Sequence, residues 1–248
     1  MDKILQTLDK ILVGDNYTGN LAVFNGKIFV YDFDNHPDPL NPLNLPANTV
    51  RVRTNDGNAP LKDMSKATHA SYDTAVLVPG TTDVYDVYKS GSSFENLFYW
   101  SMNLVEVLGA NSTGITNTQY MFKNCEYFTT ISNVFDTSSV TNMLGMFHNC
   151  AALISVPLFD TSNAISMRAM FEFDGELTTI PLFNTSKVTD MDRMFEFCRK
   201  VQSGALALCQ QASSQANPPS THYQTFYACG SDTQTGAAEL AQIPYEWK

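Results

Sequence analysis

The stretch FDTSSVTNMLGMFHNC, residues 135–150, decides how this chain folds, because the chain writes it again. Residues 159–174 read FDTSNAISMRAMFEFD and residues 183–198 read FNTSKVTDMDRMFEFC, each copy displaced by 24 positions. The Met-Phe pairs set the register: Met121-Phe122, Met146-Phe147, Met170-Phe171 and Met194-Phe195, with Leu97-Phe98 one step earlier and a degenerate Thr225-Phe226 after a longer insertion. Other positions keep the same step. Leu104, Phe128, Leu153, Leu177 and Val201 form one column, Val107, Ile131, Val156 and Ile180 a second, and Met143, Met167 and Met191 a third. So many agreeing columns mark a tandem array.

One unit of two dozen residues cannot bury enough apolar surface to offset the entropy of ordering its own backbone. Stacked units cover one another's apolar faces and pair one another's backbone groups, so the constant letters are those that must meet copies of themselves. Leu153–Val156 and Leu177–Ile180 are β-branched-rich and precede Pro157 and Pro181, which predicts short parallel strands ended by proline. The Asp-Thr-Ser group supplies oxygens for turn amides. Met143-x-x-Met146-Phe147 has the spacing of one helical turn with an inward face. Strand, turn and helical turn together predict a leucine-rich-repeat solenoid.

Cys125, Cys150 and Cys198 share a column, with Asp174 in the third copy. Rungs about 4.8 Å apart would admit a Cys125–Cys150 bridge. The alternative is a small residue in a tight, reduced core, and the reading favours it.

The pattern FDTSxVTxMxxMFxxCxxLxxxPLFDTS across residues 97–201 resembles the BspA-like leucine-rich repeat of the Mycoplasma-lipoprotein type. PANTVRVRTNDGNAP (46–60), LVPGTTDVYDVYKSG (77–91), QSGALALCQQASSQANPPSTH (202–222) and DTQTGAAELAQIP (232–244) resemble stretches that flank such repeats in proteins of gut Bacteroidales bacteriophages and prophages. The resemblance implies a recognition or adhesion surface and no chemistry: a virion protein such as a head or tail fibre or decoration, or a bacterial cell-surface adhesin. A purely structural virion part is a third reading.

Bulk properties agree with a folded protein. Only 16% of residues are charged against 44% hydrophobic, which argues against disorder. A net charge of −10 without a Lys/Arg cluster disfavours nucleic acid and anionic membranes. No GxSxG, phosphate loop, HExxH or C-x-x-C occurs, so no catalytic residue, metal site or cofactor is expected. No apolar run is long enough to span a bilayer. Polar residues interrupt MDKILQTLDKILVG throughout, so no signal peptide is read there and location in the virion, assembled in the host cytoplasm, is expected.

Four regions follow. Residues 1–45 hold an amphipathic helix with the apolar stripe Ile4, Leu5, Leu8, Ile11 and Leu12, a hairpin about Asn25-Gly26 and a Pro-rich connector. That stripe packs on its own domain or serves attachment, to itself as a homo-oligomer or to other virion proteins. Residues 46–96 form a β-rich cap with strands at Thr49–Thr54, Ala75–Val78 and Val84–Tyr88. Residues 97–201 carry the repeats, and residues 202–248 a helical cap with helices at Ser203–Ala216 and Ala237–Gln242.

Between the fixed letters lie the positions that change: Lys123, Asn124, Leu144, His148, Asn149, Arg168, Glu172, Phe173, Arg193, Glu196 and Phe197. They form a candidate strip for a host surface protein or glycan, with Phe173 and Phe197 placed to stack on a sugar or a partner protein. The competing reading is drift on a solvated face.

Overall fold

The computed structural model describes residues 20–24, 27–31, 45–62, 69–132 and 135–248. The apolar stripe at residues 4–12, the Asn25-Gly26 pair and the connector at 32–44 lie outside them. Strands β1 (Asn20–Phe24) and β2 (Lys27–Tyr31) pair antiparallel, Leu21 opposite Val30.

A second sheet takes β3 (Thr49–Thr54), β4 (Thr74–Leu77), β5 (Val84–Tyr88), β6 (Leu104–Asn111) and β7 (Thr130–Ile131) in the order β4-β5-β3-β6-β7. Every pairing is antiparallel except β6 with β7. That parallel pair, Glu106 opposite Thr130 and Val107 opposite Ile131, is where the cap sheet passes into the repeats. Arg51 and Asp86 face each other across β3 and β5 in a buried two-bond ion pair of 2.7 and 2.9 Å. Such a pair fixes register more than it adds stability.

From Ser93 onward the chain also stacks on itself. Single parallel bridges join Ser93, Asn117, Asn142, Ser166, Asp190 and Thr221 in succession. Phe98, Phe122, Phe147, Phe171, Phe195 and Phe226 form one buried file of parallel rings with centroids 5.5, 5.3, 5.3, 5.2 and 5.8 Å apart. Met121, Met146, Met170 and Met194 are buried beside it, as are Met143, Met167 and Met191.

The Asp-Thr-Ser letters have a division of labour. The carboxylate or amide oxygen of Asp136, Asp160 and Asn184 accepts the N–H of the Ser two residues on, at 2.9, 3.0 and 3.0 Å. Thr137 and Thr161 are buried and donate to the backbone carbonyls of Asp160 and Asn184 in the next unit, both at 2.9 Å. One side chain closes its own turn and the next ties that turn to its successor.

Two predicted elements are replaced. No strand is present at Leu153–Val156 or Leu177–Ile180: Thr178 N–H bonds the Ile154 carbonyl, Gln202 N–H bonds that of Thr178, and the run ends at Pro157 and Pro181. A segment this short, closed by a residue without an N–H, has room for only isolated rungs of a ladder. The helical turn at Met143–Phe147 is instead a pair of tight turns. Met146 N–H bonds the Met143 carbonyl and His148 N–H that of Gly145, while Gly145 and Phe147 bond across to Arg168 and Met170 in the next unit.

The far end is closed by α1 (Ala205–Ser213), α2 (Gln234–Gln242) and a 3-10 turn at Tyr245–Trp247. Helix α1 is shorter than expected, and Ser203 does not cap it. The cap residue is Gly204 at φ 101°, and the Glu239 carboxylate of α2 accepts the Leu206 N–H at 3.1 Å. Helix α2 begins earlier than expected because Thr233 accepts the Gly236 N–H at 3.0 Å. Trp247 lies 6.2 Å from Phe226, over the last ring of the file.

Candidate recognition face

The alternating bond pattern builds one lateral face. In each unit every second N–H reaches the next unit, as from Tyr120 to Leu144, Asn124 to His148, Asn149 to Glu172 and Phe173 to Glu196. The intervening N–H groups close tight turns three residues back. Alternate turns of the series place a left-handed residue at their third position, as a type II turn does. Tyr120 and Asn124, Gly145 and Asn149, Ala169 and Phe173, and Arg193 and Phe197 all hold it, with φ between 53° and 67°. The backbone is set by the stack, so residues other than glycine adopt a conformation they rarely choose.

The predicted strip residues fall into adjacent columns on this face. One column runs Lys123, His148, Glu172, Glu196; its neighbour runs Asn124, Asn149, Phe173, Phe197. Asn124 is buried and accepts from Asn149 Nδ2 at 3.0 Å. Leu144 and Arg168 share a third column with Gln119 and Asp192, and Arg168 Nη1 donates to Asp192 Oδ2 at 3.0 Å. Lys123 lies over the Tyr120 ring, 4.6 Å from its centre.

At the centre is a charge cluster. His148 Nδ1 stands 3.1 Å from Glu172 Oε2, and the Arg193 guanidinium lies 3.9 Å from Glu172 and 3.7 Å from Glu196. Stacking places two carboxyls in successive units of one column. Burial and the charge of Glu172 push the Glu196 carboxyl above its ordinary value, against the pull of Arg193. At Glu172 burial works upward, but the His148 hydrogen bond and the charges of His148 and Arg193 hold it below. One carboxyl thus stays ionised while the other holds its proton more readily.

Phe173 and Phe197 stack 5.1 Å apart at 12°. His148 meets Phe173 edge-on at 5.7 Å, Tyr227 meets Phe197 edge-on at 5.3 Å, and the Arg199 guanidinium sits 5.1 Å from the Phe197 centre. Phe173 remains 42% exposed. The two rings thus stand in one aromatic row from His148 to Tyr227.

Tyr120, Tyr223 and Tyr227 belong to the same face and lie outside the strip read from the sequence. The signal for Tyr227 was its place after Phe226, where Lys123, His148, Glu172 and Glu196 follow their own phenylalanines. Buried Cys125, Cys150 and Cys198 are free thiols whose S–H groups donate to the Phe98, Phe122 and Phe171 carbonyls at 3.0, 3.0 and 2.9 Å. Among the described residues no cluster of three His, Cys, Asp or Glu side chains could hold a metal ion, and no helix is long and apolar enough to cross a membrane.

Residues 89–207, the stack and the approach to it, match the family model described as Mycoplasma protein of unknown function, DUF285. No curated protein and no solved structure matches the chain.

Proposed function

We propose that this chain is a non-enzymatic recognition protein: a BspA-like leucine-rich-repeat solenoid carried on a bacteriophage particle, as a head or tail fibre or decoration, whose lateral face engages a protein of the host surface. The repeat letters of residues 135–198 and the family match at 89–207 support the repeat reading. The flanking stretches that resemble those of phage proteins support the particle.

The observation that carries the binding role is the contrast between inside and outside. Four successive units bury the same Met and Phe, while the two columns that follow change from Lys to His to Glu and from Asn to Phe on an unchanged backbone. A frame that fixes position and frees chemistry is how repeat proteins build binding surfaces. Aromatic and arginine side chains clustered on one face are the residue types that dominate protein–protein hot spots.

The test uses Phe173→Asn with Phe197→Asn. Asparagine already occupies this column at Asn124 and Asn149 with φ of 62° and 59°, so the backbone tolerates it. Binding of the full chain to host cells should fall at least tenfold while the melting temperature stays within a few degrees. Unchanged binding would remove the face from the reading. Mass spectrometry of purified particles addresses the virion role: absence of the chain there would favour the bacterial adhesin, and presence without any host binding the purely structural part.

A further inference from the structure

Resting on the recognition reading above, we infer that this face selects an acidic protein surface, one presenting Asp or Glu side chains beside apolar residues. The argument is the depth at which the charges sit. The Arg168 and Arg193 side chains are each 43% exposed, whereas those of Glu172 and Glu196 are 9% and 8% exposed and that of Asp192 is 16%. The cations stand outside and their counter-ions lie beneath them.

Those guanidiniums retain donors. Neither contact of Arg193, at 3.9 and 3.7 Å, is short enough for a hydrogen bond, and Arg168 gives one N–H to Asp192. A guanidinium has five N–H donors in a planar fork that matches a carboxylate. Nearby Asp190 is committed internally, its Oδ1 accepting the Asp192 N–H and the Thr221 hydroxyl. Exposed Phe173, Tyr223 and Tyr227 on the same face supply apolar contacts beside those donors. Glu172, Glu196, Asp192 and Asp190 offset the two arginines, so what the face presents is outward guanidinium donors and not a net positive charge, and the placement of those donors specifies register and partner.

Two substitutions separate this inference from the reading beneath it, and the fold already contains both replacements. Gln119 shares the column of Arg168, and Gln224 shares that of Arg193 at φ 54°. A display library of randomised peptides is selected on the full chain. Its binders are then measured against the Arg168→Gln/Arg193→Gln and Phe173→Asn/Phe197→Asn variants, with a panel of sialylated and sulfated glycans in parallel. Enrichment of Asp and Glu, with at least a tenfold affinity loss on each variant, is the expected result. Binders that need the phenylalanines yet show no acidic enrichment and tolerate the glutamines would overturn the acidic partner and leave the face intact. Binders indifferent to both variants would overturn the face itself. Glycan binding lost on the arginine variant, without peptide binding, would transfer the site to an anionic sugar and overturn the protein assignment.

Discussion

Asp174 Oδ1 accepts the backbone N–H of Cys150 at 2.7 Å, while its Oδ2 is buried with no hydrogen-bond partner. The carboxyl occupies the column in which Cys125, Cys150 and Cys198 each donate to a phenylalanine carbonyl of an earlier unit. Burial raises its pKa well above 3.8, only partly countered by the Cys150 N–H. An acid with a raised folded-state pKa contributes its full share of stability below the unfolded value, and that share is lost as pH rises through the folded value. Asp174→Asn, which mimics the protonated form, and Asp174→Cys, which restores the column, should both stabilise the chain at neutral pH by about 1–3 kcal/mol. Urea denaturation from pH 4 to 8 reads this as a flatter profile than wild type. A wild-type profile that does not decline relative to the variants as pH rises means that the carboxyl is satisfied in solution.

Thr161 offers a cleaner test of the link between units. Its buried hydroxyl joins its own turn to the Asn184 carbonyl, and valine has nearly the same volume without the donor. Thr161→Val should cost about 1 kcal/mol, and Thr161→Ser should retain most of the bond. If valine and serine melt alike, the repeated threonine serves packing and not tethering.

The buried columns were legible in the sequence because stacking demands the same side chain over itself, so Phe122, Phe147, Phe171 and Phe195 announced their register by identity alone. The backbone between them was not. Left-handed residues are ordinarily betrayed by glycine, but here the positions hold Tyr120, Ala169, Phe173, Arg193 and Phe197, and only Gly145 and the asparagines hint at the turn. The spacing of Met143, Met146 and Phe147 imitated a helix because successive tight turns also close over three residues. Within the face, Arg168–Asp192 and His148–Glu172 are 24 residues apart in one column and could have been paired from the repeat. Arg193 against Glu172 crosses columns, so nothing in a one-dimensional period predicts it.

Gly236 tests the terminal cover. A Cβ there would lie 2.0 Å from the Val201 carbonyl oxygen and 2.7 Å from the Gly230 Cα, both backbone atoms that cannot swing aside. Gly236→Ala should cost about 3 kcal/mol and pull α2 away from the stack. Because Glu239 of α2 accepts the Leu206 N–H, the N-terminus of α1 should fray at the same time. Amide exchange would then be faster at residues 204–208 in the variant. Protection there unchanged from wild type would mean that α1 is held independently of α2.

Gly145 and Tyr120 form a pair that can be taken apart. The left-handed φ of 56° at Gly145 does not by itself require glycine, since Ala169 holds 53° in the next unit. What requires it is the Tyr120 ring: a Cβ at residue 145 would lie 2.5 and 2.6 Å from two of its carbons. Gly145→Ala should therefore cost about 1–3 kcal/mol by pushing the ring out and breaking its contact with Lys123. In the background of Tyr120→Ala the same glycine change should cost much less, because the obstructing ring is gone. A double-mutant cycle from thermal or urea melts measures the coupling directly. Additive losses would place the strain in the backbone and not between the ring and residue 145.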